Sequence, residues 1–360
     1  MMRVRSTLVR YKGLALAISF LATSFALVIV SCGKGSVKSD LRFASWGGTT
    51  QTGIHDADII PFETATGLVV TEDTYGGELE LIRQEVESGS PKWDLVHIED
   101  DVLAEASRKG LLEPIPDELQ VLCQQLGAPT SKYGIPLYCW STVLAYNKRR
   151  LAALSLPAPD GWQSFLSDRY PGPYGFRKHP IGTIEIALLA GGMPESQIYP
   201  LTNEKIDLAL KTLNKLSNKI SWWTGGGEHQ QKLLTDYTLS CAWSGRVWVM
   251  IEKGEPVDML PSTGLVRFDW LAVPRGSVHA DNAFRFMEYS LRLRTQAQLA
   301  NATGYAPVNP LALDSVRAEL IPYIAGLSRR ESGLLRIDTK WWSENLSWVN
   351  DRWVAWLTAP

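Results

Sequence analysis

Residues 68–101 read LVVTEDTYGGELELIRQEVESGSPKWDLVHIEDD, and this stretch decides the fold class. Leu68-Val69-Val70 is short, apolar and rich in β-branched residues, which predicts a strand. From Glu78 to Glu87, Leu79, Ile82 and Val86 recur at three- and four-residue spacing. That is the period of one helix face, and Gly89 ends it. Asp94-Leu95-Val96-His97-Ile98 predicts a further strand. Asp100 or Asp101 can cap the helix that follows, which stops at Gly110. Strand, helix, strand, helix in this rhythm implies parallel strands joined by crossover helices, an α/β fold.

The pattern extends both ways. Leu41–Ser45 reads as an earlier strand and Trp46-Gly47-Gly48 as the loop leaving it. Ser141–Asn147, Leu239–Trp243 and Trp270–Pro274 read as later strands. Residues 156–180, with five prolines and three glycines, read as loop. Asn203–Leu216 is amphipathic, with Ile206, Leu210 and Leu213 on one stripe. Asn282–Leu293 reads as a helix behind an Asn cap. Trp341, Trp342, Trp348, Trp353 and Trp356 predict a final helix packing aromatics inward.

The chain has 360 residues, 45% apolar and 21% charged, which excludes wholesale disorder and fibrous structure. At roughly 100–200 residues per domain, two domains or lobes are expected. With 36 basic against 38 acidic residues there is no global field to attract a polyanion, so no nucleic-acid partner is expected. Arg3, Arg5, Arg10 and Lys12 precede an apolar run from Gly13 to Val30, a secretory pattern. It ends at Ile29-Val30-Ser31-Cys32, which resembles a bacterial lipobox with Cys32 as the lipidated residue. An uncleaved membrane anchor is the other reading of that run. Residues 1–31 would then be a lipoprotein signal peptide and 32–40 a tether, and the protein would be exported and lipid-anchored to a bacterial membrane. Their removal takes four cations and no anion, leaving 32 basic and 38 acidic residues. Cys123, Cys139 and Cys241 remain, an odd set that allows one bridge and one buried thiol, or three thiols.

No GxSxG, HExxH, GxGxxG or phosphate-loop motif occurs, and the five histidines show no metal-ligand spacing, so neither a metal nor a cofactor is expected. His97, alternating within a strand, reads as a satisfied core or edge histidine. Gly225-Gly226-Gly227 reads as a flexible loop. In open α/β sheets the ligand crevice lies beyond the carboxyl ends of strands. Three such places carry suggestive residues: Trp46-Gly47-Gly48, Glu99-Asp100-Asp101, and Arg267-Phe268-Asp269. Trp46 would offer an aromatic face, the glycines close backbone approach, and the acids negative charge. Each has a structural reading too. Asp100 or Asp101 caps a helix, Trp46 fills core, and Asp269 pairs with Arg267 or Arg285. A carboxylate closed into a cleft needs a cation or donors, and a bound ammonium would meet that need.

Taken together, the chain resembles the periplasmic substrate-binding proteins of ABC importers, of the spermidine/putrescine type. The resemblance rests on the Cys32 lipobox, Phe43-Ala44-Ser45-Trp46-Gly47-Gly48, Phe62–Gly67, Trp93–Val96, Gly110–Ile115, Gly134-Ile135-Pro136 and Trp140–Asn147. Tyr170–Pro173, Ala242–Gly245, Leu271–Pro274, Glu288-Tyr289 and Gly304–Pro310 continue it to the C-terminal half. It implies a type II, two-lobed fold of mixed or parallel sheets joined by a hinge. Lobe one would hold 40–145 plus 268–306, and lobe two 146–267 plus 307–360. It also implies a monomeric, non-enzymatic receptor that captures a small, amine-bearing solute between its lobes and delivers it to a membrane permease. Aromatic residues would clamp the solute's methylenes and carboxylates its amines, at Trp46, the Glu99–Asp101 loop, Trp140, Trp243, Asp269 and Tyr305. Two departures bear on the ligand. Between Lys178 and Glu185, where polyamine binders carry acids, only Glu185 is acidic. Arg267 stands where they carry an aromatic, and would oppose a second ammonium. An amino acid, a metal cation or an organic acid paired with Arg267 is thereby left open. From another class, an exported hydrolase using Glu99 with Asp269 as a carboxylate pair is the rival.

Overall fold

The computed structural model describes residues 40–324, 326–327 and 334–358. The expected leader, Cys32 and the tether to residue 39 lie outside the described residues. In chain order the first elements are β1 (Leu41–Ser45), α1 (Gly48–Ile54), α2 (Ile60–Thr66), β2 (Val70–Thr74), α3 (Leu79–Glu87), β3 (Leu95–Glu99), α4 (Asp100–Arg108) and α5 (Asp117–Gln125). There follow β4 (Ile135–Asn147), α6 (Lys148–Ala153), β5 (Tyr174–Arg177), α7 (Pro180–Ala190), α8 (Asn203–Leu216), β6 (Ile220–Trp223), α9 (Gly226–Thr235), β7 (Leu239–Trp243) and α10 (Ser244–Glu252). The chain closes with β8 (Val257–Ala272), α11 (Ala280–Ser290), α12 (Leu293–Thr303), β9 (Ala306–Pro307), α13 (Ile321–Ile324) and α14 (Thr339–Thr358).

The strands run in the order β2-β1-β3-β8-β4-β7-β5-β6, with β9 also on β4. β1 lies parallel to β2 and β3, and β5 parallel to β6 and β7. β4 and β8 are long, antiparallel to each other, and pass through both halves of the fold. Their register slips between Thr142 and Leu144. On either side of that slip the sheet is covered on both faces, and side chains alternate between two cores as a pleated strand requires. In the first half Phe43, Leu95 and Leu271 point to one core, while Ala44, Val96 and Ala272 point to the other. In the second half Leu144, Leu239 and Cys241 face α7, α8 and α14, and Val143, Ala145 and Ala242 face the opposite layer.

Several elements depart from the sequence reading. β2 begins at Val70, two residues late. The proline-rich 156–180 stretch contains β5 and a short 3₁₀ turn at Trp162–Leu166. The helix expected at Asn282–Leu293 begins at Ala280, and Asn282 lies inside it, donating to the Asp40 carbonyl at 2.8 Å. Gly226-Gly227 opens α9 instead of forming a loop. Glu99 precedes α4, so Asp100 and Asp101 occupy its first turn instead of its cap. Trp342 and Trp353 of α14 are buried, and Trp341, Trp348 and Trp356 pack partly buried against the same core. Cys123, Cys139 and Cys241 are buried free thiols. Among the described residues no helix is long and apolar enough to cross a membrane, and no cluster of three His, Cys, Asp or Glu could hold a metal ion.

Candidate functional site

The carboxyl ends of β1, β3, β5 and β7 converge on one cavity of about 300 Å³. Trp46, Glu99, Trp140, Trp243, Asp269 and Tyr305 line it, joined by Tyr138, Thr50 and Gly76. Arg177 at the end of β5, Arg246 in the first turn of α10, and Thr224, Gly225 and Gly226 at the start of α9 complete the wall. Gly47 caps α1 with a positive φ of 70°, and Gly48 faces Arg246; the two shape the rim without lining the cavity.

Asp269 is the buried acid of the site: three neutral aromatic groups donate to it, and His97 Nε2 lies 3.1 Å from its Oδ2. Trp140 Nε1 donates to Oδ1 at 2.7 Å, and the Tyr138 hydroxyl to Oδ2 at 2.8 Å. Trp46 Nε1 donates to Oδ2 at 3.3 Å. The β4–β8 register creates this arrangement by setting Tyr138 opposite Asp269 and Trp140 opposite Arg267. Burial pushes the Tyr138 hydroxyl well above its ordinary range and Tyr305 up to about 12, so both remain protonated donors. Aromatic faces surround the acid. Trp46 stacks on Tyr75 at 5.8 Å, Tyr138 on Tyr305 at 4.6 Å, and Trp140 meets Trp243 edge-on at 6.3 Å.

Two arginines that sequence reasoning missed give the cavity its positive side. The Arg177 guanidinium lies over the Trp243 ring at 5.2 Å, with Nη2 at 3.7 Å from Glu99 Oε1. Arg246 forms no ion pair among the described residues, and its Nε is buried without a hydrogen-bond partner. The buried Trp243 Nε1 is likewise an unused donor. The only sequence signals were position: Arg177 ends a strand, and Arg246 follows Trp243-Ser244-Gly245 into a helix.

Asp100 and Arg267 do not line this cavity, contrary to expectation. Arg267 is 3% exposed and pinned by three acids of the α4 entry. It donates from Nη1 to Glu99 at 2.8 Å, from Nε to Asp100 at 2.9 Å, and from Nη2 to Asp101 at 2.5 Å. A second bond joins its Nη2 to Asp100. Its charge is met inside the fold by Glu99, Asp100 and Asp101. Glu99 reaches the cavity already paired with Arg267. Burial pushes Asp100 up to about 7, against the pull of Arg267. Burial also opposes ionisation of Asp101, but Arg267, His179 and Arg177 outweigh it and hold that carboxyl low. Glu185 is fully buried away from the site, accepting from Gly182 N, Tyr199 and Trp342 Nε1.

Residues 59–320 match the family described as bacterial extracellular solute-binding protein. The chain belongs to this family. It is 27% identical over 337 residues to the gamma-aminobutyric acid-binding protein of Pseudomonas aeruginosa, covering 92% of this chain and 94% of the relative. To the putrescine-binding periplasmic protein PotF of Escherichia coli it is 24% identical over 289 residues, 72% of this chain and 76% of that one. Among solved structures, the Atu4243-GABA receptor is similar with a TM-score of 0.79 and 29% identity, over 89% of this chain and 98% of that one. An ABC transporter substrate-binding protein from Bradyrhizobium japonicum gives 0.81 and 25%, over 89% and 100%. This solute-binding protein is thus an exported, two-lobed component of an ABC transporter that takes a small solute, and its relatives are binding proteins, not enzymes.

Proposed function

We propose that this protein captures a small zwitterion carrying an ammonium and a carboxylate on a short methylene chain, an ω-amino acid of the 4-aminobutyrate class. One observation carries the reading. A single cavity holds Asp269, which accepts from Trp46, Tyr138 and Trp140 and is paired with no arginine or lysine among the described residues, and Arg246, which forms no ion pair among them. Its ionised side chains are two arginines and two carboxylates, so no net charge invites a dication. Asp269 takes the ammonium and Arg246, helped by Arg177, takes the carboxylate. Trp46, Trp140, Trp243 and Tyr305 enclose the methylenes, and ring faces against an ammonium add about 0.5–2 kcal/mol per contact. The names of the P. aeruginosa and Atu4243 relatives support the same class.

We infer two lobes, 40–145 plus 268–306 and 146–267 plus 307–360, with the register slip in β4 and β8 as part of the hinge. The protein works as a monomer held at the membrane by lipid on Cys32.

Isothermal titration calorimetry with 4-aminobutyrate, n-butylamine, butyrate and putrescine tests the ligand. Only the amino acid is expected to bind in the micromolar range, about 8 kcal/mol. Trp46→Ala, Asp269→Asn and Arg246→Met should each weaken it at least about tenfold, or about 1.4 kcal/mol. Putrescine binding tighter than 4-aminobutyrate would overturn the zwitterion. Butyrate binding as tightly would reduce the site to an anion receptor.

A further inference from the structure

Behind the ammonium side of the cavity lies a buried histidine that the ligand reading does not use. His97, on β3, is fully buried. Its Nδ1 lies 2.9 Å from Ser45 Oγ, and its Nε2 lies 3.1 Å from both Trp46 Nε1 and Asp269 Oδ2. The groups facing it come from every neighbouring element. They are Ser45 and Trp46 from β1 and the residue after it, Asp269 from β8, and the Tyr138 ring from β4, near-perpendicular with its centroid 5.4 Å away. Tyr75, after β2, donates its hydroxyl to the His97 carbonyl at 2.7 Å. Burial keeps both tyrosines protonated, so Asp269 is the charged neighbour.

An indole N–H can only donate, so its contact with Nε2 is a hydrogen bond only if that nitrogen is bare. In that tautomer the ring proton sits on Nδ1 and donates to Ser45 Oγ, and the imidazole is neutral; the other neutral tautomer would instead donate from Nε2 to Asp269 Oδ2, with Trp46 donating to Asp269 alone. A proton added at Nε2 would break the Trp46 contact and set a cation against Asp269 Oδ2. That cation and a ligand ammonium would compete for one carboxylate. We propose that His97 is the positioning residue that sets the strength of the Asp269 ammonium site. As the neutral Nδ1–H tautomer it fixes Trp46 and leaves Asp269 its full charge. A protonated ring would cancel that charge, so ammonium binding to that form expels one proton. This rests on the reading that Asp269 receives the ligand's ammonium group.

Long-range ¹⁵N–¹H spectra of the ligand-free protein read the tautomer directly, and should show the proton on Nδ1 at pH 8. A proton on Nε2 there overturns the proposal, whatever the ligand. Calorimetry with 4-aminobutyrate between about pH 5.5 and 8, where neither of its own groups changes charge, reads the coupling. Where the ring carries a proton, Kd should rise by up to about tenfold for each pH unit lowered. The binding heat should depend on the buffer as release of one proton requires. His97→Gln, whose amide oxygen can accept from Trp46 but cannot titrate, should bind with a flat profile. Equal pH profiles for wild type and His97→Gln overturn the coupling. Absence of 4-aminobutyrate binding at every pH removes the ligand half of the proposal together with the zwitterion. The tautomer is read without ligand, so the two failures stand apart.

Discussion

Arg267 shows what one residue decides. Three carboxylates surround one guanidinium almost wholly out of water. Breaking a buried ion cluster by deleting one partner costs more than never having built it, because charges remain unpaired. Arg267→Met should therefore destabilise the protein by about 3–5 kcal/mol in urea unfolding. The deficit should be larger at pH 8 than at pH 5, since carboxyls without their cation hold protons more tightly when folded and so stabilise only at low pH. In the wild type the same sign applies to Asp100. Its folded pKa of about 7 exceeds the ordinary value of 3.8, so its contribution is present below about pH 4 and is lost as pH rises through 7. Asp100→Asn should accordingly gain stability relative to wild type on going from pH 5 to pH 8. A constant difference between the two across that range would count against a raised Asp100.

At the scale of elements, the loop between β2 and α3 holds Trp46 in place. Tyr75 stacks on the indole, and Gly77, with φ of 83°, lies so close that a methyl group there would overlap the ring. Gly67 also has positive φ, at 72°, but has nothing within 4 Å of such a methyl. The two glycines separate strain from displacement. Alanine at either should cost about 1–2 kcal/mol of stability from the left-handed backbone. Only Gly77→Ala should also weaken 4-aminobutyrate binding, by at least about tenfold. Equal affinities for the two variants would mean that Trp46 is not held by this contact. Elements with strong local pattern were legible: the residues of β1, α8 and β7 carry their own alternation or amphipathic stripe. β5 was not, because its four residues sit between prolines and become a strand only by pairing with β6 and β7, which lie later in the chain. The site was legible where aromatic and acidic residues follow strands, as at Trp46 and Asp269. It was illegible at Arg267, whose acid partners lie 166–168 residues away, and at Arg177 and Arg246, which in sequence look like any surface arginine.

For the whole molecule, what matters is which half supplies which end of the ligand. Trp46, Tyr138 and Asp269 belong with the first half of the sheet, and Arg177, Trp243, Arg246 and the α9 entry with the second. β4 and β8, with their slipped register, run through both halves. A solute can favour the closed arrangement only by contacts that exist in it and not in the open one. A ligand with charges at both ends makes such contacts, whereas butylamine or butyrate would satisfy one half and leave the other free. At one hundred times its Kd, any ligand binding only the folded state adds about 2.7 kcal/mol, so stabilisation alone cannot separate these cases. Shape can. In small-angle X-ray scattering, saturating 4-aminobutyrate should reduce the radius of gyration, and butylamine or butyrate at the same saturation should not. Arg246→Met, which keeps the ammonium side and loses the anion side, should bind weakly and stay extended even when saturated. Compaction of that variant to the wild-type radius would show that closure does not need the second charge, and would leave Asp269 alone to drive it.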